Sequence, residues 1–201
     1  MLVKQTEKIN KRVYAAILAT GLMSFSGVIV ETAMNITFPT LMREFDIATN
    51  TVQWMTSIYL LIVAIIVPLS AVLKQSFTTK SLFLCANLLF IIGALIDALA
   101  GNFAFLLMGR VIQGIGTGIA LPLMFNIILE QVPQSRIGFM MGLANMITGI
   151  APAIGPTFGG IVVSSLGWRW VFYFLLPLLL VSLGLGIWGY SAKISNSASK
   201  N

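Results

Sequence analysis

Six stretches of this chain run for 20 residues or more with at most one charge each: about 13–39, 52–73, 81–100, 103–129, 137–163 and 168–191. At 1.5 Å per residue, about 20 apolar residues cross the ~30 Å hydrocarbon layer of a bilayer. Inside that layer no water can satisfy a backbone N–H or C=O, so each run must be a helix. Composition agrees, with 58% hydrophobic and 9% charged residues against roughly 25% charged in soluble domains. The expected fold is an all-α membrane protein with six transmembrane helices and the lipid bilayer as its first partner.

Short polar breaks separate the runs: "REFDIATN" (43–50), "KQSFTTK" (74–80), "GN" (101–102), "EQVPQSR" (130–136) and "SSLGW" (164–168). Residues 1–12 form a basic tail that leads into a run too long for a signal peptide, so a retained first span is expected. Residues 192–201 form a polar, serine-rich tail expected to lack fixed structure. With the N-terminus inside, the inner segments hold Lys4, Lys8, Lys11, Arg12, Lys74, Lys80, Arg136, Lys193 and Lys200, and the outer ones only Arg43 and Arg169. Nine against two places both termini in the cytoplasm, and it explains the +6 net charge without a nucleic-acid partner. Trp54, Tyr59, Trp168, Trp170 and Tyr173 are then expected in an aromatic belt near the outer face.

Charges inside a bilayer are costly and mark function. Away from the ends of the runs there are three: Glu31, Asp97 and Arg110. Taking span midpoints near residues 26, 91 and 116, each lies five or six residues toward the outer side, roughly 8–9 Å from the midplane. That shared depth predicts an ion pair between Arg110 and either Glu31 or Asp97. Such a pair either fixes helix packing or works as a proton relay, because a carboxylate beside a cation can load and release a proton. Gln113, Gly114 and Thr117 follow Arg110 at helical spacings of three, four and seven. Their shared face is expected to point to the cavity or to a neighbouring helix, so they are candidate cavity residues; Asn35, one turn beyond Glu31, is a candidate to bond substrate or a hydrogen-bond network.

Other chemistries find little support. No histidine is present, and the single cysteine, Cys85, cannot form a disulfide within the chain. No metal site, cofactor or nucleophile–base set is expected, and hence no enzyme. "GIGTG" (114–118) follows no strand and lies mid-span, so it is not a dinucleotide loop. "NIT" (35–37) fits a glycosylation sequon but lies within a span, and the ten methionines read as core and lipid-facing filler.

The stretch "GIAPAIGPTFGG" (149–160) puts two prolines and four glycines into the fifth span. A lipid-exposed loop is forbidden there, so it is read as a helix bent at Pro152 and Pro156. Gly155 and Gly159 are spaced for close contact with another helix.

"GPTFGG" (155–160) resembles the Gly-Pro-x-x-Gly-Gly core of the antiporter motif of the major facilitator superfamily, found in the fifth helix of its drug:proton antiporters. Gly142 matches that motif's upstream glycine, while Ala151 replaces a second one; Gly155, Pro156, Gly159 and Gly160 match its core. "LLMGRVIQGIGTG" (106–118) is similar to the fourth-helix motif through Arg110, Gln113, Gly114 and Gly116. "ETAMNITFP" (31–39), "VQWMTSIYLL" (52–61) and "GWRWVFYFLLP" (167–177) resemble the end of the first helix and the starts of the second and sixth in the fourteen-helix branch, lincomycin-export-like pumps above all. The loop between helices two and three, which gates the family's motion and normally reads Gly-x-Leu-x-Asp-Arg-x-Gly-Arg-Lys, departs from that pattern: "AVLKQSFTTK" (71–80) keeps only Leu73 and Lys80 of its named residues.

The resemblance implies one six-helix half, the N-terminal bundle, of a cell-membrane transporter that exchanges protons for small amphipathic drug-like compounds. It ties Arg110 to proton coupling. It also places the fifth helix between the two halves, so the Gly155–Gly159 face is expected on the open side of the bundle, toward a second half or another copy. Two alternatives stand beside it: a non-transporting half or assembly module that needs a partner chain, and an inactive truncated remnant. The charge bias makes a direct prediction. Reporter fusions after residues 48, 102 and 166 should read as external and those after 77 and 133 as internal; reversed readings would refute the orientation.

Overall fold

The computed structural model describes residues 9–190. The expectations for residues 1–8 and 191–201, which include most of both tails, lie outside the described residues. Helix α1 (Lys11–Met34) continues through a 3-10 turn (Asn35–Thr37) into α2 (Phe38–Phe45). Then come the short α3 (Thr49–Val52), α4 (Trp54–Ser76), α5 (Thr79–Ala98), α6 (Phe103–Gln131), α7 (Gln134–Ser165) and α8 (Arg169–Gly189). Among the described residues six helical segments are long and apolar enough to cross a membrane: Lys11–Phe45, Thr49–Ser76, Thr79–Ala98, Phe103–Gln131, Gln134–Ser165 and Arg169–Gly189.

The polar breaks are shorter than the sequence suggests. Arg43–Phe45 and Lys74–Ser76 are still helical. The apolar run measures the hydrocarbon layer, whereas the helix continues into the polar zone until a local stop ends it. The stops can be named. Asp46 takes a left-handed conformation (φ 49°) after α2 and Gly167 another (φ 96°) after α7, the latter a geometry that suits a residue without Cβ. Three helices start on side-chain caps, where Asn10, Thr78 and Asn102 accept from the backbone N–H of Arg12, Ser81 and Phe105 at 3.0, 3.2 and 3.0 Å.

α1 is the most enclosed span, packed by α6, α7 and α8, while α5 packs on α6 and α8 and α4 on α6. α4 and α7 sit at the margins and leave most of their surfaces outside the bundle. Residues 149–160 are continuous helix within α7, which decides between helix and loop. Their glycine face, however, is not on the open side. Gly155 and Gly159 are buried against α1, and a methyl at 159 would stand 2.8 Å from the Ala33 Cα. Pro152, Ile154 and Pro156 are exposed instead, and a methyl at Gly142 or Gly160 would meet nothing within 4 Å. Small-residue spacing specifies a close approach but not the partner, and α1 supplies it with Thr32 and Ala33.

This packing separates two adjacent glycines. Gly159→Leu should force α1 and α7 apart and cost about 1–3 kcal/mol. Gly160→Leu should be neutral or slightly stabilising, because the space is open and leucine favours helix. Thermal unfolding in detergent micelles would distinguish them; equal effects would refute the assigned face.

Candidate functional site

Arg110 stands two turns into α6 and is fully buried. Its partners are all neutral. Nη1 donates to Gln113 Oε1 at 2.9 Å, Nε donates to the Met55 carbonyl oxygen at 3.4 Å, and the guanidinium lies 4.2 Å from the centre of the Tyr59 ring. The ring face is an electron-rich platform whose attraction grows when the cation is desolvated. Tyr59 is itself tied on two sides. Its hydroxyl donates to the Gly27 carbonyl oxygen (3.0 Å) and shares a bond with Thr117 Oγ1 (2.9 Å). Arg110, Tyr59, Thr117 and Gly27 thus join α6, α4 and α1. A methyl at Gly27 would lie 2.7 Å from Thr117 Cγ2, so this junction closes only around glycine.

The expected ion pair is absent. Among the described residues the ion pairs are Lys74–Glu130 and Arg169–Glu44, and neither involves Arg110. Glu31 is half-buried on α1 and makes no hydrogen bond. Asp97 is fully buried in the last turn of α5, and neither carboxyl oxygen has a hydrogen-bond partner. Both acids interact with the guanidinium electrostatically without touching it. The reason is angular. Asp97 rests against Gly109, whereas the next residue along α6 points about 100° away, toward α4.

The other candidates take the neighbouring-helix and hydrogen-bond-network alternatives expected of them. Gln113 fills the seam with α5 against Gly93, Gly114 packs on Ile62, and Thr117 bonds Tyr59. All three are enclosed by helices, so they do not line an accessible cavity in this arrangement. Asn35 alone is exposed, and its Oδ1 accepts from the Thr56 hydroxyl at 2.7 Å. Tyr59 and Trp168, expected in an interfacial belt, are buried, whereas Trp54 and Trp170 are exposed.

Two clusters at opposite ends of the bundle escape a reading of the sequence. At the end away from the termini, Arg169 pairs with Glu44 (2.8 Å), donates to the Ala100 carbonyl (2.8 Å) and stacks 4.3 Å over Trp168. The Trp168 Nε1 donates to the other Glu44 oxygen at 2.7 Å. This latch joins α2, the α5–α6 turn and the start of α8. At the other end Lys74 of α4 pairs with Glu130 of α6, while Leu73 packs on the core and Lys80 is exposed. Both clusters bring together charges that look like ordinary helix-end residues one at a time; only their pairing across elements marks them.

Six membrane-length helices packed into one bundle define a class, the multi-pass α-helical membrane proteins. The architecture aligns with the crystal structure of a bacterial homolog of the human lysosomal transporter Spinster, in an inward-facing and unoccupied conformation, with a TM-score of 0.71 and 20% identity over 90% of this chain and 44% of that one. The chain belongs to the Major Facilitator Superfamily, whose family model matches residues 20–200. It is 42% identical over 199 residues, 98% of its length, to the lincomycin resistance protein LmrB of Bacillus subtilis (strain 168), and covers 41% of that relative. LmrB of Listeria monocytogenes is 45% identical over 85% of this chain, and a multidrug resistance protein B homolog of Mycobacterium tuberculosis 30% over 88%. The chain spans about two fifths of the length of the first of these relatives and about one third of the other two.

Proposed function

We propose that this chain forms the N-terminal six-helix half of a multidrug efflux transporter in the cell membrane, with both termini cytoplasmic, which exchanges protons for small amphipathic compounds. The observation that carries this reading is the sealed Arg110, held by neutral groups and flanked by two acids that do not touch it. A static structural pair would bring the charges into contact. A cation held short of its counter-ions leaves each carboxyl free to gain or lose a proton, the property a coupled antiporter needs. The relatives' names supply the substrate class, and lincomycin is the first compound to try.

The marginal positions of α4 and α7 fit a partner laid against them, either a second half or another copy of the chain. A different reading, a non-transporting half or a remnant, draws on the loop 71–80, where Gln75, Ser76 and Lys80 are exposed and, of the two lysines, Lys74 alone makes an ion pair among the described residues.

Co-expression separates these readings. The chain should export nothing alone in an efflux-deficient host. Together with the C-terminal half of a lincomycin-resistance relative it should give lincomycin or ethidium export that an uncoupler abolishes. Arg110→Ala in the paired system should lower the rate at least tenfold, a loss of roughly 1.4 kcal/mol or more. Export by the demonstrably monomeric chain, or export indifferent to the proton gradient, would overturn the proposal.

A further inference from the structure

α5 and α6 run antiparallel and meet through two reciprocal notches. Asp97 of α5 lies in the notch left by Gly109 of α6, and Gln113 of α6 lies in the notch left by Gly93 of α5. A methyl at 93 would stand 2.7 Å from Gln113 Cγ, so the fit is close. The spacing of four on both helices sets the acid and the amide one turn apart. Both Asp97 oxygens lack a donor, while Arg110 Nη2 and Gln113 Nε2, donors on the neighbouring helix, lack an acceptor. Unmatched donors and acceptors buried together are rare in folded proteins and ask for an explanation.

We propose that Asp97 is a second proton-binding carboxyl of this bundle, carrying its proton in the arrangement seen here and able to replace Glu31 as counter-ion of Arg110. The inference rests on the proton-coupled reading above and adds a second carboxyl to it. Its basis is electrostatic. A carboxylate sealed from water with no donor is far more costly to bury than a carboxylic acid. Glu31, half-exposed on α1, can be ionised at much lower cost. The groups that interact electrostatically with Arg110 are Asp97 from α5, Tyr59 from α4 and Glu31 from α1. One cation and two acids are neutral when one acid is ionised and the other holds a proton.

The exit route is short. Asp97 is one residue from the end of α5, under the turn whose Ala100 carbonyl is pinned by Arg169. When the Glu44–Arg169 latch releases that turn, the Asp97 O–H bond breaks and its proton passes to entering water. The bared carboxylate then attracts the guanidinium from the Tyr59 ring, and Glu31 is left to take up a proton from its own side.

The chain contains two aspartates, Asp46 and Asp97, and Asp46 is exposed. Infrared spectroscopy of the full chain in lipid bilayers, with and without 13C-aspartate, therefore reads Asp97 in the unmutated protein. A protonated-carboxyl band should be present at neutral pH and shift with the label. It should vanish in Asp97→Asn and persist in Glu31→Gln. A neutral-pH spectrum with no label-sensitive band, or a band lost in Glu31→Gln instead, would overturn the proposal. Because the measurement needs no substrate, its failure leaves the efflux reading standing, and a failure of export with the band present would strike that reading alone.

Discussion

A guanidinium closed off from water and touched by no carboxylate among the described residues is the constraint around which this bundle is arranged. Removing a charge from water costs several kcal/mol even after the surroundings relax, and something must offset that at Arg110. Here a π-face, an amide oxygen and a backbone carbonyl share the task. The amide comes from α6 itself and the other two from α4, so the arginine fixes α4 against α6 through Met55 and Tyr59. Tyr59 in turn fixes α1 through the Gly27 carbonyl. The glycines follow from the same demand, because helices that share such small polar groups must approach closely. Gly27, Gly93, Gly109 and Gly114 all lie where a methyl would meet a neighbour at about 3 Å or closer.

The two end clusters complement that interior junction. The Glu44–Trp168–Arg169 latch and the Lys74–Glu130 pair close opposite ends of the bundle. Exposed ion pairs contribute little to stability, commonly under about 1 kcal/mol. Under the proposed function, that weakness suits a contact made and broken as the transporter changes shape. The buried bond from Asn87 to Ser182, continued from Ser182 to the Ala19 carbonyl, joins α5, α8 and α1 where no charge is involved, and so gives those helices a fixed frame.

The number and type of elements are legible because the bilayer permits one answer to a long apolar run. Helix ends are less so, since Asp46 and Gly167 stop helices through backbone conformations that hydropathy does not register. Arg110 and Gln113 can be picked out from charge, spacing and motif, and the structure does bring them together. Arg110's partner cannot, because depth along a helix says nothing of rotation: Asp97 shares its level with Arg110 but faces Gly109. Tyr59 is hidden for a related reason. An aromatic residue early in a span reads equally as an interfacial anchor or as a buried platform, and only the cation beside it decides. Likewise the small face of α7 is readable as a contact surface, but its partner α1 is not.

A double-mutant cycle between Tyr59 and Arg110, set beside one between Glu31 and Arg110, tests most directly whether neutral groups hold the buried cation. The variants Tyr59→Leu, Glu31→Gln and Arg110→Met, singly and in pairs, would be unfolded in detergent micelles near neutral pH. If the ring carries the guanidinium, the Tyr59–Arg110 coupling should be about 1–2 kcal/mol and should exceed the Glu31–Arg110 coupling, because Glu31 acts on the guanidinium without touching it. A Glu31 coupling larger than that of Tyr59 would show that an ion pair, not the ring, holds Arg110, and would contradict the arrangement described.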